Sequence, residues 1–442
     1  MNRLLFLTIL LFGTFFFAKD VFATANVYYS VGQSSSNLLA GTSVTLTLTS
    51  GAAVFSVAQS GNIGVGDRVT YDTDNKVAYI AAKTNADQMH WTLITKTGGT
   101  PADVSGVAVT SIKHEYTSLF AAEAGAVDSS HINNTDLTVA DVVLNIPCYY
   151  DSGPDTTAVT INGYTTDGTR YIKIYTPTST TSEANNSQRH SGKWDEGKYN
   201  LANSSGSVFE IESSNVKIIG LQVRTARTNG NSSAILCDSA VHDVNISNNI
   251  VRNSGLGDYV YGINIANSSI SNLTIWNNIV YDFNTGLINA NTGIRISTSD
   301  GTLLYNNTVH NSSYGIIIGY NDAIAINNIV NGSGNSNAYV GYFASGTDYN
   351  ATDGTDDIGA GTHNKLSQTF SFVNSANKDF HLAPTDTGAK DYGTDLSGIF
   401  NIDIDGNTRP FGAAWDIGAD ELIYLESKFR GYVNMRGNVN VR

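Results

Sequence analysis

Cysteine is scarce in this chain of 442 residues, where only Cys148 and Cys237 occur. Two cysteines cannot build a disulfide framework, which excludes the small disulfide-rich scaffolds of many secreted proteins. A chain of this length must therefore be stabilised by a large hydrophobic core, either in two or three domains or in one long array of repeats.

Charge is also scarce, since charged residues make up 14% of the chain. The 39 acidic residues exceed the 25 basic ones and give a net charge of −14. This balance argues against nucleic acids and anionic membrane surfaces as partners, and it suits cations or neutral surfaces better.

Only one long apolar run is present, and it lies at the N-terminus. Residues 4–18 carry no charge, Arg3 precedes them, and Ala23-Thr24-Ala25 offers small residues at the spacing that a signal peptidase recognises. The run is short for a membrane span. We therefore predict a signal peptide over residues 1–25 and a secreted, extracellular or cell-surface protein without membrane insertion after cleavage. A retained membrane anchor is the alternative.

The chain does contain an internal repeat. Asn-Asn-Ile-Val or Asn-Asn-Thr-Val occurs at residues 248–251, 277–280, 306–309 and 327–330, and residues 220–223 fit the same frame. The valines at 223, 251, 280, 309 and 330 are thus 28, 29, 29 and 21 residues apart. Two alternating apolar segments recur in each repeat, which is typical of strands. Stacked repeats would bury a core that no single repeat can bury, so we predict an all-β fold, a right-handed parallel β-helix.

Two kinds of polar residue are explained by their place in the repeat. The second asparagine of each pair, at 249, 278, 307 and 328, is predicted to form a buried hydrogen-bonded ladder at the bend between strands. Cys237 falls in a column of isoleucines, so we interpret it as a small buried hydrophobe rather than a nucleophile.

Three further regions flank the repeats. Residues 26–114 carry strand-like runs without the repeat, so we expect a small β-rich domain there. A short helix within residues 116–126 is expected to cover the open end of a β-helix that spans residues 115–400. Residues 401–442 are expected to form a closing segment and a basic, strand-like tail. That tail fits association with itself or a partner, or equally a disordered end.

The chain resembles secreted bacterial right-handed β-helix proteins of the pectate-lyase-like superfamily, in its broad sense. The resemblance rests on the Asn-Asn-Ile-Val turns and on four C-terminal runs, at residues 379–382, 391–393, 403–410 and 416–421. It covers residues 116–421 and implies the β-helix fold. Because that superfamily includes polysaccharide lyases, glycoside hydrolases, adhesins and viral tail spikes, it implies an extracellular polysaccharide as partner without fixing an activity.

The catalytic motifs of the pectin hydrolases with this fold do not carry over. Asn134-Thr135-Asp136 lies far upstream, no Gly-His-Gly occurs, and Arg295-Ile296 is followed by Ser297 rather than lysine. A hydrolase also needs two facing carboxylates, and no outward column stacks two acidic residues in neighbouring turns. If the chain is an enzyme, a polysaccharide lyase therefore fits better than a glycoside hydrolase.

One outward column supplies candidate site residues. Directly after the repeated valines come Arg224, Arg252, Tyr281, His310 and Asn331, and Asp282 lies in the next column. β-Elimination needs a base, an acid and a group that neutralises the carboxylate, so Tyr281 and His310 form the candidate proton-transfer pair and Arg252 the neutralising group. The candidate substrate-binding residues are Arg224, Asp282, Asn331 and Arg295. The alternative is that all of these are ordinary polar residues on a solvated sheet.

No cofactor is indicated with certainty. Oxygen-rich runs at residues 72–75, 348–357 and 403–407 leave calcium possible, but none has the full spacing of a calcium loop, and turns closed by Asp and Asn explain them more simply. No zinc-ligand spacing is present, and metal ligands are unknown.

Two functions remain open at this stage. The first is interaction with an extracellular polysaccharide, with lyase activity as one possibility, in a groove that long loop insertions wall. The second is a non-catalytic surface or matrix protein, in which the solenoid serves as a stiff spacer for adhesion. The residues favour the first function and leave catalysis uncertain.

Overall fold

A computed structural model shows a parallel β-helix with a small β-barrel near its N-terminus. The structure describes residues 24–284, 291–297, 301–319, 323–333, 337–355, 358–359 and 361–423. The predicted signal peptide, up to residue 23, and the basic tail after residue 423 lie outside the described residues. Within these ranges, no helix is both long enough and apolar enough to cross a membrane.

Each turn of the β-helix contributes strands to three parallel sheets. The first sheet contains Ala25–Tyr28, Val142–Pro147, Ile172–Tyr175, Val216–Ile219, Asn245–Ser247, Thr274–Trp276, Thr302–Tyr305 and Ala323–Ile326. The second sheet contains Asn200–Asn203, Gln222–Thr225, Ile250–Asn253, Ile279–Tyr281, Thr308–His310, Ile329–Asn331 and Ala351–Thr352. The third sheet contains Val159–Ile161, Phe209–Ile211, Ser232–Cys237, Val260–Ile265, Thr292–Ile296, Tyr314–Ile318 and Tyr339–Gly341.

Apolar side chains of successive turns stack in continuous internal columns. One column of the first sheet contains Ile218, Ile246, Ile275 and Leu304. One column of the third sheet contains Phe209, Ile235, Ile263, Ile294 and Ile316. All of them, and Cys237 in the adjacent column, are fully buried. The predicted right-handed parallel β-helix and the interpretation of Cys237 as a buried hydrophobe are confirmed.

A ladder of buried asparagines links the turns at the bend between the first and second sheets. The main-chain N–H and the Nδ2 of Asn249 both donate to Oδ1 of Asn278 at 3.0 Å. Asn278 donates to Asn307 and Asn307 to Asn328 in the same way. The ladder continues to Asn350, beyond the positions predicted from the repeat. Each side chain thereby satisfies main-chain groups that would be buried without partners, and the predicted ladder is confirmed.

We expect Asn278→Ala to lower the free energy of unfolding by about 2–4 kcal/mol, because it leaves buried donors and acceptors of two neighbouring turns unpaired. Urea unfolding followed by circular dichroism measures this loss. Asn186→Ala, at an exposed position, is the matched control and should change stability little. Equal stability of the two variants would contradict the structural role of the ladder.

The N-terminal region forms a closed six-stranded barrel. Its strands are Thr45–Thr49, Ala52–Phe55, Arg68–Tyr71, Lys76–Lys83, His90–Ile94 and Val104–Lys113. The barrel has its own core, which includes Phe55 and Trp91. We expected the separate domain to begin at residue 26, but its first residues belong to the β-helix. Ala25–Tyr28 pairs with Val142 to Asn145 in the first sheet.

Two short helices, Leu119–Gly125 and Leu137–Ala140, lie at the start of the β-helix. The Ser118 side chain caps the first of them by accepting from the N–H of Ala121. Leu119 and Ala122 are buried in the same hydrophobic core as the apolar residues of the β-helix. The helix predicted within residues 116–126 is therefore confirmed.

A buried ionic contact joins the barrel to the β-helix. His114 Nδ1 lies 2.6 Å from Oδ1 of Asp67, and its Nε2 lies 3.1 Å from Oδ1 of Asp151. Burial alone lowers the pKa of His114, but the two carboxylates outweigh burial and raise it to about 10. The imidazole is therefore charged at neutral pH.

A raised histidine pKa stabilises the fold fully below the unfolded pKa of 6.5, and this contribution is lost as the pH rises towards about 10. We therefore expect the thermal midpoint to fall between those pH values, and His114→Gln to flatten that dependence. His242→Gln is the control, because His242 forms an exposed pair with Asp243. The same slope in His114→Gln as in the unmodified protein would refute the assignment.

The C-terminal closing segment, residues 370–423, covers the outer faces of the first and second sheets. It includes the antiparallel strands Phe372–Asn374 and Asp379–Leu382, joined by the 3₁₀ turn Ser375–Asn377. The segment begins at residue 370, whereas the sequence predicted that it begins at residue 401, after the end of the β-helix. Apolar residues of the segment pack on outward residues of the sheets: Phe380, Ile404 and Ala419 on Ile250, Ile279 and Tyr281, and Phe400 and Trp415 on Tyr305.

Candidate functional site

The predicted catalytic column exists, but the closing segment covers much of it. Pairing through the second sheet aligns Arg224, Arg252, Tyr281, His310 and Asn331, as the repeat predicted. The column is not an open groove at Tyr281, because apolar residues of the closing segment pack on its face there.

Tyr281 is the clearest correction. It is 1% exposed and its ring centre lies 5.1 Å from that of Phe380. Burial raises the pKa of Tyr281 to about 12, against the opposing charge of nearby Arg252, and no described residue forms a hydrogen bond of normal geometry with its hydroxyl. The neighbouring His310 ring lies 4.6 Å from Phe380, and burial, followed by the charge of Lys378, lowers its pKa to about 4. A polymer cannot reach Tyr281 in this arrangement.

The two arginines of the column already have partners. Arg252 Nη2 lies 2.8 Å from Oε1 of Glu196, and its guanidinium lies 3.9 Å from the ring centre of Trp194. Arg224 lies 3.8 Å from the same Glu196 oxygen. Both side chains remain partly exposed, at 20% and 25%. Their predicted role towards a substrate stays a prediction.

The remaining predicted substrate-binding residues do not come together. Asp282 forms an ion pair of 2.7 Å with Lys378 of the closing segment. Asn331 Nδ2 lies 3.3 Å from Nδ1 of His310. Arg295 belongs to the third sheet, where its Nη1 donates to Asn264.

The oxygen-rich runs considered for calcium close turns. Asp72 accepts from the N–H of Thr73 and pairs with Lys76. Asp348 pairs with His363 at 2.7 Å. Asp403 accepts from the N–H groups of Asp405 and Asn407. This geometry fits the simpler interpretation as Asp-closed and Asn-closed turns, and residues 356–357 lie outside the described residues.

A pocket of about 670 Å³ lies instead on the outer face of the first sheet. Its floor is formed by Lys217, Asn245, Ser247 and Trp276, from three successive turns. These side chains point outward because alternate residues of a strand face opposite sides, and Ile218, Ile246 and Ile275 point into the core. The floor residues were not predicted from the sequence, although the same alternation along the strands indicates that they face outward.

Two segments distant in sequence wall the pocket. On one side stand Thr178 and Arg189, from the loop after Ile172–Tyr175. On the other side stand residues 402–406 of the closing segment, which Asn277 anchors through a hydrogen bond of 2.6 Å from Nδ2 to the carbonyl of Ile402. No local pattern could reveal these walls.

The pocket combines cations and an aromatic surface with two carboxylates in its wall, those of Asp403 and Asp405. Arg189 Nε donates to Thr176 Oγ1 at 2.7 Å, and burial lowers its pKa to about 10, so the guanidinium stays charged at neutral pH. Lys217 Nζ lies 3.7 Å from the ring centre of Tyr171. The Trp276 ring stacks on Phe400 at 4.3 Å, which fixes its orientation. Such a site offers charge-assisted hydrogen bonds beside a flat apolar face.

The comparisons with known proteins add little to this geometry. No family model matches the chain, and no curated protein matches it. Among solved structures, the crystal structure of pectate lyase Pel9A matches 63% of this chain and 88% of that chain, with 12% sequence identity and a TM-score of 0.28. A likeness of this extent says nothing about the chemistry of this chain.

We expect Tyr281→Phe to change the free energy of unfolding by less than about 1 kcal/mol, because it removes only a buried hydroxyl that has no hydrogen-bond partner among the described residues. Phe380→Ala, in the same contact, should cost about 3–5 kcal/mol through the cavity it leaves. Urea unfolding of both variants checks this. A loss above about 2 kcal/mol for Tyr281→Phe would show that the hydroxyl has a structural partner.

Proposed function

We propose that the protein binds an acidic extracellular polysaccharide in the first-sheet pocket. The observation that carries the proposal is that Arg189, Lys217 and Trp276 line one pocket, with Asp403 and Asp405 in its wall. Among the described residues, the contacts of the two cations are a hydroxyl, main-chain carbonyls and a ring rather than carboxylates. Each cation therefore keeps capacity for the carboxylate of a uronic acid, while the ring offers a surface for the apolar face of the sugar.

Affinity in this proposal comes from local contacts. The net charge of −14 opposes the approach of an acidic polymer, but salt screens it beyond about 8 Å at physiological ionic strength. The charge-assisted hydrogen bonds of a partly desolvated pocket are screened less. Binding should therefore depend on pocket residues more than on the overall charge.

The proposal concerns binding and does not assign bond cleavage. The proton-transfer pair predicted from the sequence includes Tyr281, which is buried. The proposal includes export of the chain, supported by the signal-peptide pattern of residues 1–25. Use of the β-helix as a stiff spacer for adhesion is compatible with a binding pocket on its side.

Calorimetric titration with polygalacturonate, alginate and neutral dextran tests the proposal. We expect Lys217→Gln to weaken binding of the acidic polymers about tenfold or more, because a charge-assisted hydrogen bond is lost. Lys173→Gln is the matched control, since Lys173 pairs with Lys217 one turn earlier but does not line the pocket.

The outcomes distinguish polysaccharide binding at another place on the protein from a protein that binds no polysaccharide. Equal weakening by both lysine variants would place binding elsewhere, and no binding of any polymer by the folded protein would refute the proposed function. Unsaturated products in the same mixtures would add lyase activity, and new reducing ends without unsaturation would indicate hydrolysis.

A further inference from the structure

Three side chains of the closing segment converge beside the polysaccharide pocket, and one of them, Asp405, also stands in the wall of that pocket. One ligand atom each from His381, Asp405 and Asp420 lies within 4.8 Å of the others. They come from three separate parts of the segment: the strand Asp379–Leu382, the turn at residues 403–407, and the stretch around residue 420. All three line a cavity of about 320 Å³.

The histidine is oriented as a metal ligand would be. Its Nδ1 is hydrogen-bonded to Oδ1 of Asp379, which leaves Nε2 to face Asp405, 2.8 Å from Oδ2. Histidines that bind metals commonly place the second ring nitrogen against a carboxylate, which fixes the ring and increases its basicity. Asp379 therefore serves as a positioning residue.

Asp420 is a buried residue with one carboxylate oxygen left for a ligand. The residue is 5% exposed, and one oxygen accepts from the N–H of Leu382 at 2.7 Å. None of the described residues donates a hydrogen bond to its other oxygen, Oδ1, and the residue lines the cavity with His381 and Asp405. This oxygen is therefore available to a cation or a water in the cavity.

A glycine packs closely against two of these ligands. Gly192 has φ +66°, and a Cβ at this position would lie 2.3 Å from Nε2 of His381 and 2.7 Å from Oδ1 of Asp405. Any side chain would therefore fill the place beside the two ligand atoms. The left-handed conformation also favours glycine.

The geometry points to a binding site for one divalent transition-metal ion of the zinc class, held by His381, Asp405 and Asp420. One imidazole nitrogen with two carboxylate oxygens and an open position is a ligand set that zinc accepts, whereas calcium and magnesium prefer oxygen ligands alone. The ion takes the place of the proton between Nε2 of His381 and Asp405, and that proton leaves to solvent. Bound there, it ties three parts of the closing segment together.

Calorimetric titration of the chelator-treated, desalted protein with zinc chloride, in the absence of polysaccharide, tests this site. We expect one ion per chain. When cobalt replaces zinc, we expect a visible absorption spectrum typical of a cobalt ion with a low coordination number. His381→Ala should weaken zinc binding by roughly 100-fold or more, since even changes to the residues around metal ligands cost 10–100-fold. Asp420→Asn should weaken it at least about tenfold, while its amide oxygen still accepts from Leu382.

His363→Ala is the matched control, because His363 pairs with Asp348 at 2.7 Å and has no third ligand among the described residues, and it should bind zinc like the unmodified protein. Should Asp420→Asn fail to fold, Asp405→Asn at a more exposed position replaces it. Equal zinc affinity in all variants, preference for calcium over zinc, or no binding at all would each overturn the assignment. Zinc is titrated without polysaccharide, and His381 and Asp420 do not line the polysaccharide pocket, so failure of the metal site and failure of the proposed function are distinguished.

Discussion

The structure depends on how the chain bends between the first and second sheets. At that bend the first asparagine of each pair has positive φ, between 49° and 59° at residues 248, 277, 306 and 327. Asparagine tolerates this left-handed conformation better than most residues. The bend directs the second asparagine inward, where its side chain replaces the main-chain hydrogen bonds that a sheet would supply. The Asn-Asn dipeptide thus provides both the left-handed conformation and the hydrogen bonds that the corner requires.

The same bend attaches the closing segment. Outside the corner, Nδ2 of Asn277 donates to Ile402, that of Asn306 donates to Asp416 and Gly418, and that of Asn327 donates to Thr394, all at main-chain carbonyls. The inner asparagines therefore connect turn to turn, while the outer asparagines connect neighbouring turns and also attach the turns to the closing segment. Because the segment is fixed at this corner, it extends over both adjacent sheets, covers the second, and leaves the pocket on the first.

Sequence reasoning succeeded where neighbouring turns decide the outcome. The columns of isoleucine and the ladder at residues 249–328 follow from a repeat in which every position has an equivalent one turn away. It failed where the deciding contact is distant. The bond between Asn277 and Ile402 spans 125 residues, so the outward position of Tyr281 could not reveal the Phe380 that covers it. Apolar residues in the closing segment, such as Phe400 and Trp415, were a usable sign that this segment packs on something. The pocket floor could have been derived from alternation in the first sheet, but its wall at Arg189 could not.

The cover that the closing segment provides also protects the flank of the β-helix. Ile250, Ile279 and Ile329 point away from the internal core and are buried by this segment. A chain from which the segment has been removed by proteolysis would therefore keep stacked turns beside an exposed apolar strip, the kind of surface through which copies associate. The segment thus acts as a shield against self-association.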